Sequence, residues 1–63
     1  MDARVNKKVG EVLRQIRLNK GLTQVAVAAK LSAPQSYVSK LETGERCMRL
    51  SEAFDYADAL AAN

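Results

Sequence analysis

Between Gln24 and Thr43 two short apolar periodicities meet across the break Ser32-Ala33-Pro34. Before the break, Val27, Ala28 and Leu31 recur at helical spacing; after it, Val38 and Leu41 fall three apart. Proline lacks an N–H and its ring clashes with the preceding turn, so no single helix runs through Pro34, although proline suits the first turn of a new one. Two helices joined by so short a connection must cross steeply. The inner side of such a corner has room only for small side chains, which Ala28 and Ala33 supply. The spacing predicts one helix up to Leu31 and another from Pro34 or Gln35 to Thr43, with Gly44 as a left-handed stop. With Pro34 as the first helical residue, Ala33 becomes a poor N-cap and Ser32 assists from one place earlier.

The flanks read as further helices. Val5, Val9, Val12, Leu13 and Ile16 form one apolar stripe, predicting a helix from about Asn6 to Asn19 whose wet side holds Lys7, Lys8, Glu11, Arg14 and Gln15. The opening, Met1 to about Asn6, reads as a frayed end or a basic arm. Gly10 costs about 1 kcal/mol relative to alanine inside a helix, which predicts close approach by a neighbouring element. Asn19-Lys20-Gly21 is the stop, Thr23 an N-cap, and Leu22 is placed to staple back onto Val27. Glu45 to Arg49 reads as a charged loop with Met48 dipping into the core. A last helix is predicted over Leu50 to Ala61, turning Leu50, Phe54, Ala57 and Leu60 inward. Asp55 and Asp58 take its wet face; alternatively Tyr56, Ala59 and Ala62 form a second apolar strip that pairs two subunits. With no strand signal, the expected fold is all-α: a compact bundle of four short helices, or five, in one domain spanning 1–63.

A chain of 63 residues lies near the lower limit for folding without a covalent or metal staple. One cysteine, Cys47, excludes an internal disulfide, and without histidine a structural zinc site has too few ligands. No apolar run approaches membrane-spanning length and the first residues lack a signal-peptide layout, so an intracellular, reducing compartment is expected. The formal charge is +3, unevenly spread. All ten basic residues lie in the first fifty positions with four acids, a net +6, whereas residues 51–63 hold three acids and no base. A basic body with an acidic end suits a polyanion on one side. There is no glycine-rich phosphate loop and no nucleophile–base pair, so an enzyme is not expected.

The corner is the sequence form of a helix-turn-helix, placed at about 23–43. Gln24, Val27, Ala28, Leu31, Val38, Leu41, Glu42 and Gly44 stand where the phage repressor/Cro-type (xenobiotic-response-element, lambda-repressor-like) helix-turn-helix family has its signature. Arg17 and Gly21-Leu22-Thr23-Gln24 extend the resemblance upstream, and Leu50 to Leu60 resembles the family's fourth helix, so that it covers roughly residues 9–61. Ser32 departs from the family's usual glycine, Pro34 from its usual Ser or Thr cap, and Val25 is apolar at a place usually polar.

The resemblance implies a sequence-specific regulator of transcription, most simply a repressor acting as a homodimer on a palindromic operator in double-stranded DNA. It implies no cofactor, no small-molecule ligand and a bacterial or phage cytoplasm at the nucleoid. Gln35, Ser36, Ser39 and Lys40 would face base edges in the major groove, where glutamine pairs with adenine and lysine donates to guanine. Gln24, Thr23, Thr43 and Arg46 would meet phosphate. Tyr37 either lies along the sugar-phosphate backbone or half-buries against the domain. Arg17 and Glu42 would form a partly buried structural ion pair between the first and third helices. A different class of function on the same fold is a protein-interaction module, an antitoxin or a transcription coactivator, using the acidic last helix.

Overall fold

The computed structural model describes residues 3–61. Among them are four α-helices and no strand: α1 (Ala3–Asn19), α2 (Gln24–Leu31), α3 (Gln35–Thr43) and α4 (Leu50–Ala61). No described helix is long and apolar enough to cross a membrane. α1 is already helical at Ala3, three residues before the expected start, and Met1 and Asp2 lie outside the described residues.

The turns follow local chemistry. Thr23 is extended and its hydroxyl accepts from the Ala26 N–H at 3.0 Å, capping α2. Ser32 ends α2 in the left-handed conformation at φ 54°, with its N–H on the carbonyls of Ala28 and Ala29. It therefore closes the second helix and does not assist the third, correcting the expected capping role. A non-glycine residue at positive φ is strained; here the following N–H, of Ala33, is drawn back to the Ala28 carbonyl at 3.0 Å. Pro34 itself is the N-cap of α3, with no side-chain hydrogen bond. Gly44 takes φ 82° and its N–H bonds the Lys40 carbonyl.

Leu13, Val27, Ala28, Val38, Leu41, Met48, Tyr56, Ala59 and Leu60 form the core, with Val9, Leu22, Leu31, Tyr37 and Ala53 packed at its edge. Gly10 is where α1 crosses α3: a Cβ there would stand 2.6 Å from the Glu42 carbonyl oxygen and nearer still to that of Leu41. Asn6, buried on α1, accepts from the Met48 N–H at 3.1 Å and so pins the 45–49 loop while Met48 enters the core.

Two expected inward faces point outward. On α1, Leu13 is buried and Val9 half-buried, but Val5, Val12 and Ile16 are exposed. On α4, Leu60 is buried, but Leu50, Phe54 and Ala57 are exposed. The inward side of α4 is instead Glu52, Ala53, Tyr56, Ala59 and Leu60. The reason is polar: Tyr56, fully buried, donates its hydroxyl to Glu42, which sets the rotation of the helix. Tyr56 and Ala59 are thus core residues and not a subunit-pairing strip, and Ala62 lies outside the described residues.

Candidate nucleic-acid interface

α3 is held by its polar underside. Glu42, buried, accepts from Arg17 Nε at 2.7 Å and from Arg17 Nη2 at 3.1 Å, a two-point contact between α1 and α3. Arg17 Nη1 also donates to the Leu22 carbonyl at 2.8 Å, tying the α1–α2 turn to the same centre. Gln24 Nε2 donates to Glu42 at 3.0 Å, and Tyr56 supplies a donor from α4. All four helices therefore converge on one carboxylate. Burial alone pushes the Glu42 carboxyl up, but donation from Arg17, Tyr56 and Gln24 outweighs it and holds the group below its ordinary value. Burial and the neighbouring Glu42 raise the Tyr56 phenol, which stays protonated as the donor. No described buried side-chain nitrogen or oxygen lacks a partner.

With Val38, Leu41 and Glu42 turned inward, the opposite side of α3 presents Gln35, Ser36, Lys40 and Thr43 to solvent. Ser39 is half-buried on the flank of that row. Lys40 and Ser36 are one turn apart, so they stand one above the other on the exposed surface. Gln35 leans back: its Nε2 donates to Gln24 Oε1, and Gln24 passes the chain on to Glu42. The first turns of α2 and α3 are thereby linked side chain to side chain. Thr43 is exposed, and its hydroxyl folds back on the Lys40 carbonyl at 3.3 Å while accepting from the Glu45 N–H.

A second polar cluster closes the other end. Glu52, in the first turn of α4, accepts from the Arg49 N–H at 2.9 Å, from Tyr37 Oη at 2.7 Å and from Arg46 at 3.0 Å. The Arg49 N–H, then Tyr37 and Arg46, hold its carboxyl down to about 2. The Arg46 guanidinium lies over the Tyr37 ring, 5.1 Å from its centre, in cation–π contact. Tyr37 is half-buried, with its hydroxyl turned to Glu52. Arg46, exposed, is held between Tyr37 of α3 and Glu52 of α4. The sequence reasoning missed Glu52. The available signal was its position three residues after Arg49, the spacing at which a glutamate reaches back to the first N–H of a helix. Asn6 was missed as well, and nothing in its surroundings along the chain marks it.

The surface so built is a ridge of exposed amide, hydroxyl and ammonium groups with an arginine on its flank. Among the described residues, no three histidine, cysteine, aspartate or glutamate side chains gather to hold a metal ion.

Comparison with known proteins bears on this ridge. The helix-turn-helix domain family is matched over residues 8–63. A protein of Sinorhizobium fredii (strain NBRC 101917 / NGR234), named an uncharacterised HTH-type transcriptional regulator, y4dJ, is 38% identical over 63 residues, which is 100% of this chain and 79% of that protein. No solved structure matches.

Proposed function

The chain belongs to the helix-turn-helix domain family, and on that premise we propose that it is a sequence-specific double-stranded-DNA-binding regulator of transcription, a repressor working as a homodimer on a palindromic operator. The observation that carries this reading is the ridge of α3: Gln35, Ser36 and Lys40 stand exposed on a helix whose other side is fixed to α1, α2 and α4 through Glu42. An α-helix fits the major groove, and the donors and acceptors there distinguish all four base pairs. Gln35 reads adenine through its amide, Lys40 donates to guanine, and Ser36 with the half-buried Ser39 completes the contact.

Phosphate contacts set the register. Thr23 and Gln24 open α2, where backbone N–H groups unused within the helix favour an anion. Thr43 at the end of α3, and Tyr37 and Arg46 on its flank, approach the neighbouring backbone. Gln24 both holds Gln35 in place and meets phosphate, so that groove contact and backbone contact are coupled through one amide. Two such domains with their third helices about 34 Å apart read half-sites one turn of DNA apart. Occupying the operator excludes or recruits polymerase, with no chemistry by the domain itself.

The test is selection from a random-sequence duplex pool followed by binding at graded salt. The expected result is a recovered motif, a negative slope of log K against log salt, and a change of base preference at one position in Lys40→Ala. No enrichment, or binding indifferent to salt, overturns the reading.

A further inference from the structure

The two outward stripes belong to one surface. At 3.6 residues per turn, Val5, Val9, Val12 and Ile16 share one side of α1, and Leu50, Phe54 and Ala57 share one side of α4. α1 meets α3 along Gly10 and Arg17 and the 45–49 loop through Asn6, and its apolar stripe lies beyond Leu13, on the other side of the buried face. α4 faces α2 and α3 through Glu52, Tyr56 and Ala59, and its stripe lies beyond Leu60 and Ala53. Since α1 and α4 pack against each other, both stripes border their seam. Leu50 is 65% exposed, Phe54 62%, Val12 49%, Val5 43% and Ile16 39%. Together they present on the order of 500 Å² of apolar surface, the upper range for a patch on a monomer and most of the roughly 800 Å² per partner in a stable complex.

We propose that this α1–α4 seam is covered by a second copy of the chain. Charge selects that occupant. The outer rim of the α1 stripe carries Lys8 and the outer rim of the α4 stripe carries Asp58, both exposed. A two-fold axis lying in the interface and running along the seam lays α1 of one copy against α4 of the other, which brings each basic rim to an acidic rim while the apolar stripes close on each other. Such an interface is self-complementary, as a two-fold requires. The seam lies across the core from the exposed row of α3, so pairing leaves both ridges open. The inference rests on the proposed dimeric DNA-binding reading and gives that dimer its surface.

The test is the solution mass of this chain without DNA, by sedimentation or light scattering, for the wild type, Phe54→Glu, Lys8→Glu, Asp58→Lys and the double exchange Lys8→Glu/Asp58→Lys. Phe54 is exposed, so its variant should keep its helical circular dichroism. The expected result is twice the chain mass for the wild type, one chain mass for Phe54→Glu, a dimer weakened about tenfold in each single exchange, and recovery in the double. A wild type that stays monomeric up to millimolar concentration, a dimer indifferent to Phe54→Glu, or a double exchange no better than the singles overturns the proposal. A parallel titration with duplexes bearing one or two half-sites separates the two readings. Phe54→Glu should bind one half-site as the wild type does and lose the gain from the second. If the wild type binds neither duplex, the DNA reading fails and the mass result stands by itself.

Discussion

Replacing Glu42 by alanine removes the acceptor of three side chains at once. Arg17 loses both contacts to the carboxylate and keeps only its bond to the Leu22 carbonyl, while Tyr56 and Gln24 lose their acceptor. Taking one partner from a buried ion pair costs about 3–5 kcal/mol, because the remaining charge is stranded away from water. A chain of this length has on the order of 3–9 kcal/mol of total stability. Each kilocalorie moves the melting temperature of a small domain by about 4–8 °C. Glu42→Ala is therefore expected to melt at least about 12 °C below the wild type, read by circular dichroism at neutral pH. The companion variant Arg17→Met/Glu42→Leu/Tyr56→Phe replaces the three buried members of the cluster with apolar groups of similar size and should recover most of the loss, since buried ion pairs exchanged for packed hydrophobes are often neutral or better. A Glu42→Ala protein within about 1 kcal/mol of the wild type in urea titration refutes the reasoning. So does one that keeps its melting temperature but no longer binds DNA, because Glu42 is assigned to hold α3 and not to touch the duplex.

Further outcomes follow from single features. Gly10→Ala should destabilise by about 1–3 kcal/mol in chemical denaturation, although alanine is the better helix former, because the new methyl meets the Leu41 and Glu42 carbonyl oxygens; a stabilised variant would contradict that crossing. Thr23→Ala should cost about 1 kcal/mol by the same assay, the loss of one helix cap. The acid limb of stability belongs to carboxylates: Glu52 is held down to about 2 against an ordinary 4.5, and Glu42 shifts the same way. A carboxyl lowered by folding contributes stability above its unfolded value and loses it as pH falls toward its folded value. Unfolding free energy should therefore be level from neutrality to about pH 4.5 and fall from there toward about 2, less steeply in Glu52→Gln. At the alkaline end Tyr56 is raised above its ordinary 10.0, so stability should decline as pH rises past about 10, and Tyr56→Phe should flatten that limb.

The corner itself was legible in the sequence because it is built from local signals: Thr23 caps, Pro34 interrupts, Gly44 releases the chain, and Val27, Ala28, Val38 and Leu41 all lie where periodicity puts them. The buried ion pair was legible only through family resemblance, since nothing between residues 17 and 42 announces that they meet. The rotations of α1 and α4 were misread for one reason. Hydrophobic periodicity identifies an apolar stripe but not what buries it, and both helices carry two sides able to face inward. On α4 the choice falls to Tyr56, whose ring fills the core and whose hydroxyl supplies a donor to Glu42, leaving Leu50 and Phe54 outside. On α1, Gly10, Asn6 and Arg17 are polar or small, yet they make the contacts to α3 and the 45–49 loop. A scale that ranks residues by oiliness assigns them to water. Glu52 escaped notice because its partners, Tyr37 and Arg46, come from α3 and the loop.

The exposed row of α3 stands or falls on one titration. Backbone amide shifts of the labelled chain, recorded as a selected operator duplex is added, should change most at Gln35, Ser36, Ser39 and Lys40, with smaller changes at Thr23, Gln24, Thr43 and Arg46 and little along Val12, Ile16 and Phe54. Changes concentrated on α1 and α4 with α3 unmoved would contradict the assignment of that helix to the groove.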